Sequence, residues 1–331
     1  MPVTKGPRKE YFVFSVDDSN WRQFDWSIIT TVAVFSLDLE MMCFAHSHGA
    51  RVVYLVDYPV ANLSDADQRS AWISQQLDKV QSTFADGINI DVESPIAADS
   101  PEKDLLTVLV QEATAAFHNA IPQSQVTFDV AWSPNCIDGR CYSYADLALA
   151  CDFLFVMAYD ERSQVLDGPC IASANSALPN TVRGVKEYIA EGISEDKLVL
   201  GVPWYGYDYP CIHAENTTVC PIEHVPFRGA NCSDAAGKQI PYSKIPQLLS
   251  TSTTGPQYSQ ELESPWFDYT LDGVQHQVWY DDPESLQWKY VWARNLRLRG
   301  IGMWNADELD YSDDPVARKH TREMWDAMHI F

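Results

Sequence analysis

Short apolar runs alternate with segments of helical periodicity along most of the chain. The runs are rich in β-branched and aromatic residues, which is typical of buried strands. Strands that alternate with helices predict a parallel sheet with crossover helices. The eight predicted strands are residues 11–16, 28–35, 51–57, 87–93, 125–132, 153–159, 198–204 and 300–305.

Capping residues mark several of the helices between these strands. Ser64 is a candidate N-cap, and the pairs Asp282-Pro283 and Asp314-Pro315 each place a proline where a helix can begin. Gly49 and Gly192 lie where helix C-caps are expected. The strands and helices together predict an α/β fold, the (β/α)8 TIM barrel, which needs about 250 residues.

The chain is longer than such a barrel, because it has 331 residues. The surplus falls between the seventh strand and its helix, in a segment that fits helical periodicity poorly and contains the strand-like run 274–280. We therefore predict a barrel formed by residues 1–204 and 282–331. Residues 205–281 would form a small inserted α+β lobe that walls one side of the mouth of the barrel.

The composition excludes several classes of partner. Hydrophobic residues make up 46% of the chain, enough for a sizeable core, yet no apolar stretch reaches the ~18 residues of a membrane helix. The formal net charge of −23 repels phosphate backbones, so neither a membrane nor nucleic acid is expected as a partner. No Cys-x-x-Cys pair is present, and we expect no metal, no cofactor and a monomer.

The cysteines bear on the cellular compartment. Seven of the eight lie between residues 136 and 232, which suits disulfides in an oxidising lumen; reduced thiols in a cytosolic enzyme are the alternative. Eight cysteines allow 105 pairings, so none is assigned. Sequons at Asn62, Asn216 and Asn231 favour the same compartment. No apolar signal segment follows the basic N-terminus, so either the protein is cytosolic or its natural leader is missing, and we favour the second.

The fourth predicted strand, within residues 86–93, alternates strictly between polar and apolar positions. Its apolar residues point one way, and Asn89, Asp91 and Glu93 point the other. The apolar side suits the helices, so the polar row faces the barrel interior and ends at the strand's C-terminal edge, where barrel active sites lie. A satisfied buried polar network or an exposed edge strand is the alternative interpretation.

The spacing of Asp91 and Glu93 suits acid–base chemistry. Side chains two residues apart on a strand start ~6–7 Å from each other on one face. Two such carboxyls do not ionise independently, so one pKa rises and that group can act as an acid. An acid beside a charged partner is what glycosidic cleavage requires. Asn89 lies deepest and does not titrate, and we expect it to hydrogen-bond Asp91.

Four segments resemble, in order, the motifs of glycoside hydrolase family 18, the chitinase family. DGINIDVE at residues 86–93 resembles DGxDxDxE, although Asn89 stands where most members have Asp. Residues 155–160, FVMAYD, resemble the Met-x-Tyr-Asp motif of the sixth strand. Residues 201–206, GVPWYG, resemble Gly-x-Pro-x-Tyr-Gly of the seventh strand, and residues 300–304 resemble the last strand.

This resemblance implies roles for individual residues. Glu93 would protonate the glycosidic oxygen, Asp91 would orient the substrate's acetamido group, and the Tyr159 hydroxyl would hydrogen-bond its carbonyl. That carbonyl would attack its own C1 in place of an enzyme nucleophile, the substrate-assisted exception among retaining glycosidases. The departure at Asn89 would leave the acid intact but would not allow a proton relay between two buried Asp residues. The resemblance implies substrate contacts for Asn89, Met157, Asp160, Tyr205 and Trp304, with Trp304 beneath the reacting sugar.

Weaker candidates at strand ends are Phe35, Asp129 and Trp132, for which packing and sugar contact are equally supported. Three functions stay open. The first is a glycosidase of the lysosomal lumen, or of the extracellular space, that cleaves GlcNAcβ1-4GlcNAc at the reducing end of free N-glycan-derived oligosaccharides. The second is an endochitinase, with a chito-oligosaccharide substrate. The third is a chitinase-like lectin without catalysis, against which the presence of Asp91 and Glu93 argues.

Overall fold

A computed structural model describes residues 9–17, 19–164, 168–213 and 218–331, so the sequon at Asn216 lies outside the described residues. Eight parallel strands close a barrel, as predicted. They are β1 (Glu10–Ser15), β2 (Thr31–Val34), β3 (Arg51–Val56), β4 (Gly87–Ile90), β5 (Gln125–Ala131), β6 (Phe153–Met157), β7 (Leu198–Pro203) and β13 (Gly300–Trp304). Their order around the barrel is β1-β13-β7-β6-β5-β4-β3-β2.

The chain also forms eight α-helices within the described residues. They are α1 (Leu39–Ser47), α2 (Ala66–Thr83), α3 (Glu102–Ala120), α4 (Tyr144–Ala150), α5 (Leu178–Ala190), α6 (Ile245–Leu249), α7 (Pro283–Asn295) and α8 (Pro315–Met328). The alternation has one exception, because the described residues between β1 and β2 hold only a short 3-10 helix, Trp21–Gln23.

The capping predictions are confirmed at α7 and α8 and are off by one residue at α2. Helix α8 begins at Pro315, and the Asp314 side chain accepts from the amides of the first turn. At α2 the cap is Asp65 rather than Ser64, because the longer Asp65 carboxylate reaches two backbone amides, those of Asp67 and Gln68.

Aromatic side chains fill the barrel interior. The rings of Phe12 and Phe14 lie 5.4 and 5.0 Å from the ring of Phe155, and all three side chains are buried. Gly201 on β7 leaves room for Phe155, since a Cβ there would meet its ring at 2.2 Å. Bulky rings thus replace the branched aliphatic residues that usually fill such barrels.

A second sheet lies within the segment that the sequence assigned to a lobe. Its strands are β8 (Tyr205–Pro210), β9 (Lys238–Pro241), β10 (Gln257–Ser259), β11 (Ser264–Leu271) and β12 (Val274–Trp279). They pair antiparallel in the order β10-β11-β12-β8-β9. Trp266 and Trp279 face each other across β11 and β12 and stack with ring centroids 5.8 Å apart.

The chain divides into two compact units. The first contains residues up to 157, 184–201 and 293–307, and the second contains residues 158–183, 202–292 and 308–331. The barrel strands lie in the first unit except for the last residues of β7, and the antiparallel sheet lies in the second. The lobe boundaries at 205 and 281 remain a prediction.

Three disulfides join six of the eight cysteines. They are Cys136–Cys141, Cys170–Cys232 and Cys211–Cys220. Cys43 and Cys151 are free thiols, the first exposed and the second buried. Among the described residues, no helix is both long enough and apolar enough to cross a bilayer.

Candidate active site

The polar row of β4 runs outward from the barrel interior, as its alternation predicts. Asn89 is fully buried, Asp91 is half-buried, and the side chain of Glu93 is 53% exposed. The apolar positions between them are buried. Strand β4 itself is shorter than predicted and ends at Ile90, so both carboxylates lie just beyond its C-terminal end.

Strand β4 lies unusually close to β5 at its start. Gly87 has φ +151°, and a Cβ there would lie 1.9 Å from the carbonyl oxygen of Gln125. Only glycine avoids this clash. The close approach fixes the register in which Asn89 pairs with Thr127 of β5.

Asn89 hydrogen-bonds β5 rather than Asp91. Its Nδ2 donates to Asp129 Oδ2 at 2.7 Å, and its Oδ1 accepts from Thr127 Oγ1 at 2.6 Å. The expected bond to Asp91 is therefore wrong, because the neighbouring strand supplies both partners. The polar positions Thr127 and Asp129 are two apart, so the period-two pattern of β5 already indicated that they face the same way.

Asp129 is buried and Asp91 is partly buried, and neither carboxyl forms an ion pair with a described residue. Within the described residues, Asp91 Oδ1 and Asp129 Oδ1 have no hydrogen-bond partner. Burial, and then the charge of Glu93, raise the pKa of Asp91 to about 7, against a lowering by Arg140. Burial, and then the charge of Asp91, raises the pKa of Asp129 well above its ordinary value.

Glu93 forms an ion pair with an arginine that the sequence analysis missed. Arg140 Nη1 lies 2.5 Å from Glu93 Oε2, and Arg140 Nη2 lies 3.4 Å from Asp138 Oδ2. The Arg140 side chain is only 7% exposed. Burial lowers the pKa of Arg140, but the carboxylates of Glu93 and Asp138 outweigh that effect and the guanidinium stays charged.

Two of the predicted sugar-contacting residues also lie in the first unit. Trp304 ends β13 and its ring packs 5.1 Å from Phe14 and 6.4 Å from the exposed ring of Phe35. Met157 ends β6 and is nearly buried. The half-exposed Trp304 thus offers an apolar face of the kind that stacks on sugars.

The remaining predicted residues lie in the second unit and contact one another. The Asp160 carboxylate accepts from the hydroxyls of Tyr205 at 2.7 Å and Tyr207 at 3.0 Å. The Asp160 amide donates to Asn175 Oδ1 at 2.7 Å. Tyr159 packs edge-on against Tyr205, with ring centroids 6.1 Å apart. These hydrogen bonds hold Asp160 in place.

The fold is a parallel barrel with carboxyls just beyond the C-terminal end of β4, which is the end where barrel enzymes carry their active sites. The model of the family Glycosyl hydrolases family 18 matches residues 60–308. The chain belongs to glycoside hydrolase family 18 and is a glycosidase, as its four motifs predict.

Relatives and solved structures agree with this assignment. Di-N-acetylchitobiase of Mus musculus is 51% identical, over 99% of this chain and 90% of the mouse protein. Di-N-acetylchitobiase of Homo sapiens is 50% identical, over 99% of this chain and 85% of the human protein. The class V chitinase of Nicotiana tobaccum, 17% identical, has the same fold with a TM-score of 0.75, over 96% of this chain and 99% of that one.

Proposed function

We propose that the protein hydrolyses the GlcNAcβ1-4GlcNAc linkage at the reducing end of free oligosaccharides derived from N-glycans. The observation that carries the chemistry is the outward row in which Asp91, with a pKa of about 7, precedes the exposed carboxylate of Glu93. The choice of substrate rests on the two relatives named di-N-acetylchitobiase, which align over nearly the whole chain.

The first step is cleavage assisted by the substrate. Below pH 7 the Asp91–Glu93 pair holds one proton, which Glu93 gives to the glycosidic oxygen as the C1–O bond breaks. The carbonyl oxygen of the substrate's own acetamido group forms a bond to C1, and the reducing-end sugar leaves as an alcohol. Holding an internal nucleophile in line contributes about 7 kcal/mol or more of the barrier reduction.

The second step opens the cyclic oxazolinium intermediate. Glu93, now a carboxylate, removes a proton from water, and the hydroxide oxygen bonds to C1 as the C1–acetamido bond breaks. Two displacements at C1 give net retention of configuration. Both steps need a carboxyl that gains and loses a proton in water, and the exposure of Glu93 supports that role.

Other residues would hold the substrate. Asp91 as an anion would accept the acetamido N–H and stabilise the positive oxazolinium. Tyr159 would donate its hydroxyl to the acetamido carbonyl, and Trp304 would stack beneath the reacting sugar. We propose that the sugars are contacted by Asp160, Tyr205 and Met157. Asn89 lies deeper in the barrel and would act through its hydrogen bond to Asp129.

An acidic, oxidising compartment fits these groups. The three disulfides suit a lumen rather than the cytosol. Carboxyls with raised pKa hold their protons at acidic pH, as the first step requires. We therefore propose the lysosomal lumen, with the extracellular space as the alternative.

The test is digestion of free oligosaccharides of defined length, followed by chromatography of the products. We expect release of one GlcNAc from the reducing end and none from chains whose reducing end is blocked. Cleavage within long, end-blocked chitin would instead indicate an endochitinase. Binding of chitotriose without release of GlcNAc at any pH from 4 to 7 would indicate a lectin.

The variant Glu93→Gln tests the acid directly. We expect kcat to fall by about 10²- to 10⁴-fold, the usual contribution of general acid–base catalysis, with sugar binding retained. Glu112→Gln is the matched control, because Glu112 is 41% exposed and also pairs with a buried arginine, Arg69. A Glu93 variant that loses binding as much as turnover would indicate a structural role.

A further inference from the structure

A disulfide-closed loop contacts the segment that carries Glu93. Cys136 and Cys141 close this loop, which we call the 136–141 loop, with their Cα atoms 4.3 Å apart. The amide of Ile96 donates to Gly139 O at 2.9 Å, and the amide of Cys141 donates to Ile96 O at 3.0 Å. The second half of the loop is therefore tied to Ile96, three residues beyond Glu93.

The residue after the loop strengthens this attachment. The Tyr142 hydroxyl lies 3.0 Å from Val92 O and 2.6 Å from Ser94 O, the carbonyls on either side of Glu93. The loop and Tyr142 thus hold the backbone segment that sets the direction of the Glu93 side chain. The geometry leaves Arg140 as the loop's one direct contact with the carboxylate itself among the described residues.

Charges surround the Glu93 carboxylate from several sides. Arg140 faces it from the loop, Asp91 from its own segment and Asp129 from β5, and the Tyr142 phenol faces it from the segment after the loop. Asp57, just beyond β3, adds a negative charge beside Asp91. Arg140 is the cation of this group. Its charge stays balanced when Glu93 moves, because Asp138 lies 3.4 Å from its other terminal nitrogen.

We propose that Arg140 is a positioning residue that holds the Glu93 carboxylate against the 136–141 loop between turnovers and releases it for proton donation. The inference rests on the proposed function. In the resting pair the proton is on Asp91, and Glu93 is the anion that Arg140 binds. When substrate binds, the ion pair opens and the proton passes from Asp91 to Glu93, which leaves Asp91 as the anion.

This arrangement gives Arg140 an effect on the pH profile that a purely structural residue lacks. The Arg140 charge lowers the pKa of Asp91, so its removal lets the pair keep the proton to higher pH. The alkaline limb of kcat/KM reports loss of that proton from the free enzyme. Removal of the Arg140 charge should therefore move the alkaline limb to higher pH.

The test compares Arg140→Gln with Arg140→Lys by full pH profiles. For Arg140→Gln we expect the alkaline limb to rise by about half a pH unit or more, because an opposite charge at this range shifts a pKa by ~1–3 units when unscreened. We expect kcat to fall about tenfold, because the Glu93 carboxylate is no longer held in position. We expect KM to change by less than about threefold. Arg140→Lys should keep the limb in place, because the charge remains.

Arg69→Gln is the matched control. Its side chain is 8% exposed and pairs with Glu112 at 2.9 Å, so it removes an equally buried arginine from an ion pair between α2 and α3. We expect it to lower stability without moving the limb. An Arg140→Gln limb that overlays that of the unaltered protein, or a change in KM alone, overturns the proposal. If Arg140→Gln does not fold, Arg140→Lys provides the test. A shift of its alkaline limb overturns the proposal, whereas an unchanged limb with a lowered kcat supports it.

A second measurement separates this inference from the proposed function. The Asp91 carboxyl can be titrated by ¹³C NMR in protein without substrate, with Asp91→Asn to assign the signal. Arg140→Gln should raise the midpoint whether or not any oligosaccharide is cleaved. A raised midpoint in a protein that releases no sugar would refute the function but not the ion pair, whereas an unchanged midpoint overturns the role of Arg140.

Discussion

Two groups of buried charges in this molecule are built on different principles. Among the described residues, Asp91 and Asp129 in the barrel unit, and Asp281 in the second unit, each leave one buried carboxylate oxygen without a hydrogen-bond partner. In the second unit, the buried Asp281 carboxylate lies 2.5 Å from the ammonium of Lys289, which is fully buried, and accepts from Ser285 Oγ at 2.6 Å. We call these the Asp91 cluster and the Asp281 cluster.

The difference lies in where the compensating cation is. Lys289 contacts Asp281 directly, so two buried charges neutralise each other. In the Asp91 cluster the cation, Arg140, pairs with the outermost carboxylate, that of Glu93, and with Asp138 of its own loop. A buried carboxyl without a counter-ion costs stability and gains a proton near neutral pH, which is a property that acid–base catalysis uses. We therefore interpret the Asp281 cluster as structural and the Asp91 cluster as the proposed acid–base site.

The largest expected effect comes from Asp91→Asn. The amide keeps the shape but removes the anion that stabilises the positive intermediate, so we expect kcat to fall about 10²- to 10³-fold. Thermal stability at pH 7 should stay the same or rise, because the buried ionisable group is gone. Steady-state kinetics and thermal unfolding of the same preparation test both parts, and a clear drop in Tm would contradict the comparison.

Asp281→Ala should do the reverse. It leaves Lys289 as a buried charge without its partner, which typically costs about 3–5 kcal/mol of unfolding free energy. The folded fraction should keep its kcat. Denaturant unfolding provides the measurement, and the double variant Asp281→Ala with Lys289→Met is the control. That double variant should recover most of the lost stability, and failure to recover it would mean that Asp281 acts through other contacts.

The sequence alone predicted the barrel and the order of depth along β4. Period-two alternation from Asn89 to Glu93 was sufficient, because a strand in a closed barrel has one inner and one outer face. Thr127 and Asp129 on β5 show the same period-two pattern. Only the register between β4 and β5 shows that Asn89 hydrogen-bonds to these two residues.

The ion pair between Arg140 and Glu93 could not be predicted from the alternation pattern of the strands. Arg140 is 47 residues from Glu93 in sequence and reaches it from a loop closed by the Cys136–Cys141 disulfide, a pairing that the sequence does not assign. Nothing in the residues around Arg140 indicates which carboxylate it would meet. Local periodicity predicts faces of strands, whereas contacts made by irregular loops depend on the whole fold.

Stability should fall as pH rises from 5 to 7. Burial raises the pKa of Asp91 and of Glu161, each to about 7, from ordinary values of 3.8 and 4.5. In that range the folded protein binds more protons than the unfolded chain, so each group lowers stability by up to about 1.4 kcal/mol per pH unit. Above pH 7 the contributions of Asp91 and Glu161 level off. Denaturant unfolding at pH 5, 6, 7 and 8 measures it, and stability that increases from pH 5 to 7 would contradict it.

Variants can show how much of this pH dependence of stability comes from each unit. Glu161 is buried in the second unit, where its carboxylate accepts from the Ala177 amide at 2.8 Å and from Thr181 Oγ1 at 2.9 Å. Glu161→Gln and Asp91→Asn should each flatten the curve, and their effects should add because the groups belong to different clusters. A Glu161 variant with an unchanged slope would place the whole effect in the Asp91 cluster.

The smallest expected effect distinguishes the two carboxyls within the Asp91 cluster. Burial and the charge of Asp91 raise the pKa of Asp129 well above its ordinary value, and we expect the more deeply buried Asp129 to keep its proton while Asp91 ionises. Asp129→Asn therefore changes no charge in the working range, and its amide oxygen can still accept from Asn89 Nδ2. We expect the alkaline limb of kcat/KM to move by less than about 0.3 pH unit, in contrast to the upward shift for Arg140→Gln. A larger shift would mean that Asp129 carries charge during catalysis, and the proton of the cluster would then belong to three carboxyls rather than to the Asp91–Glu93 pair.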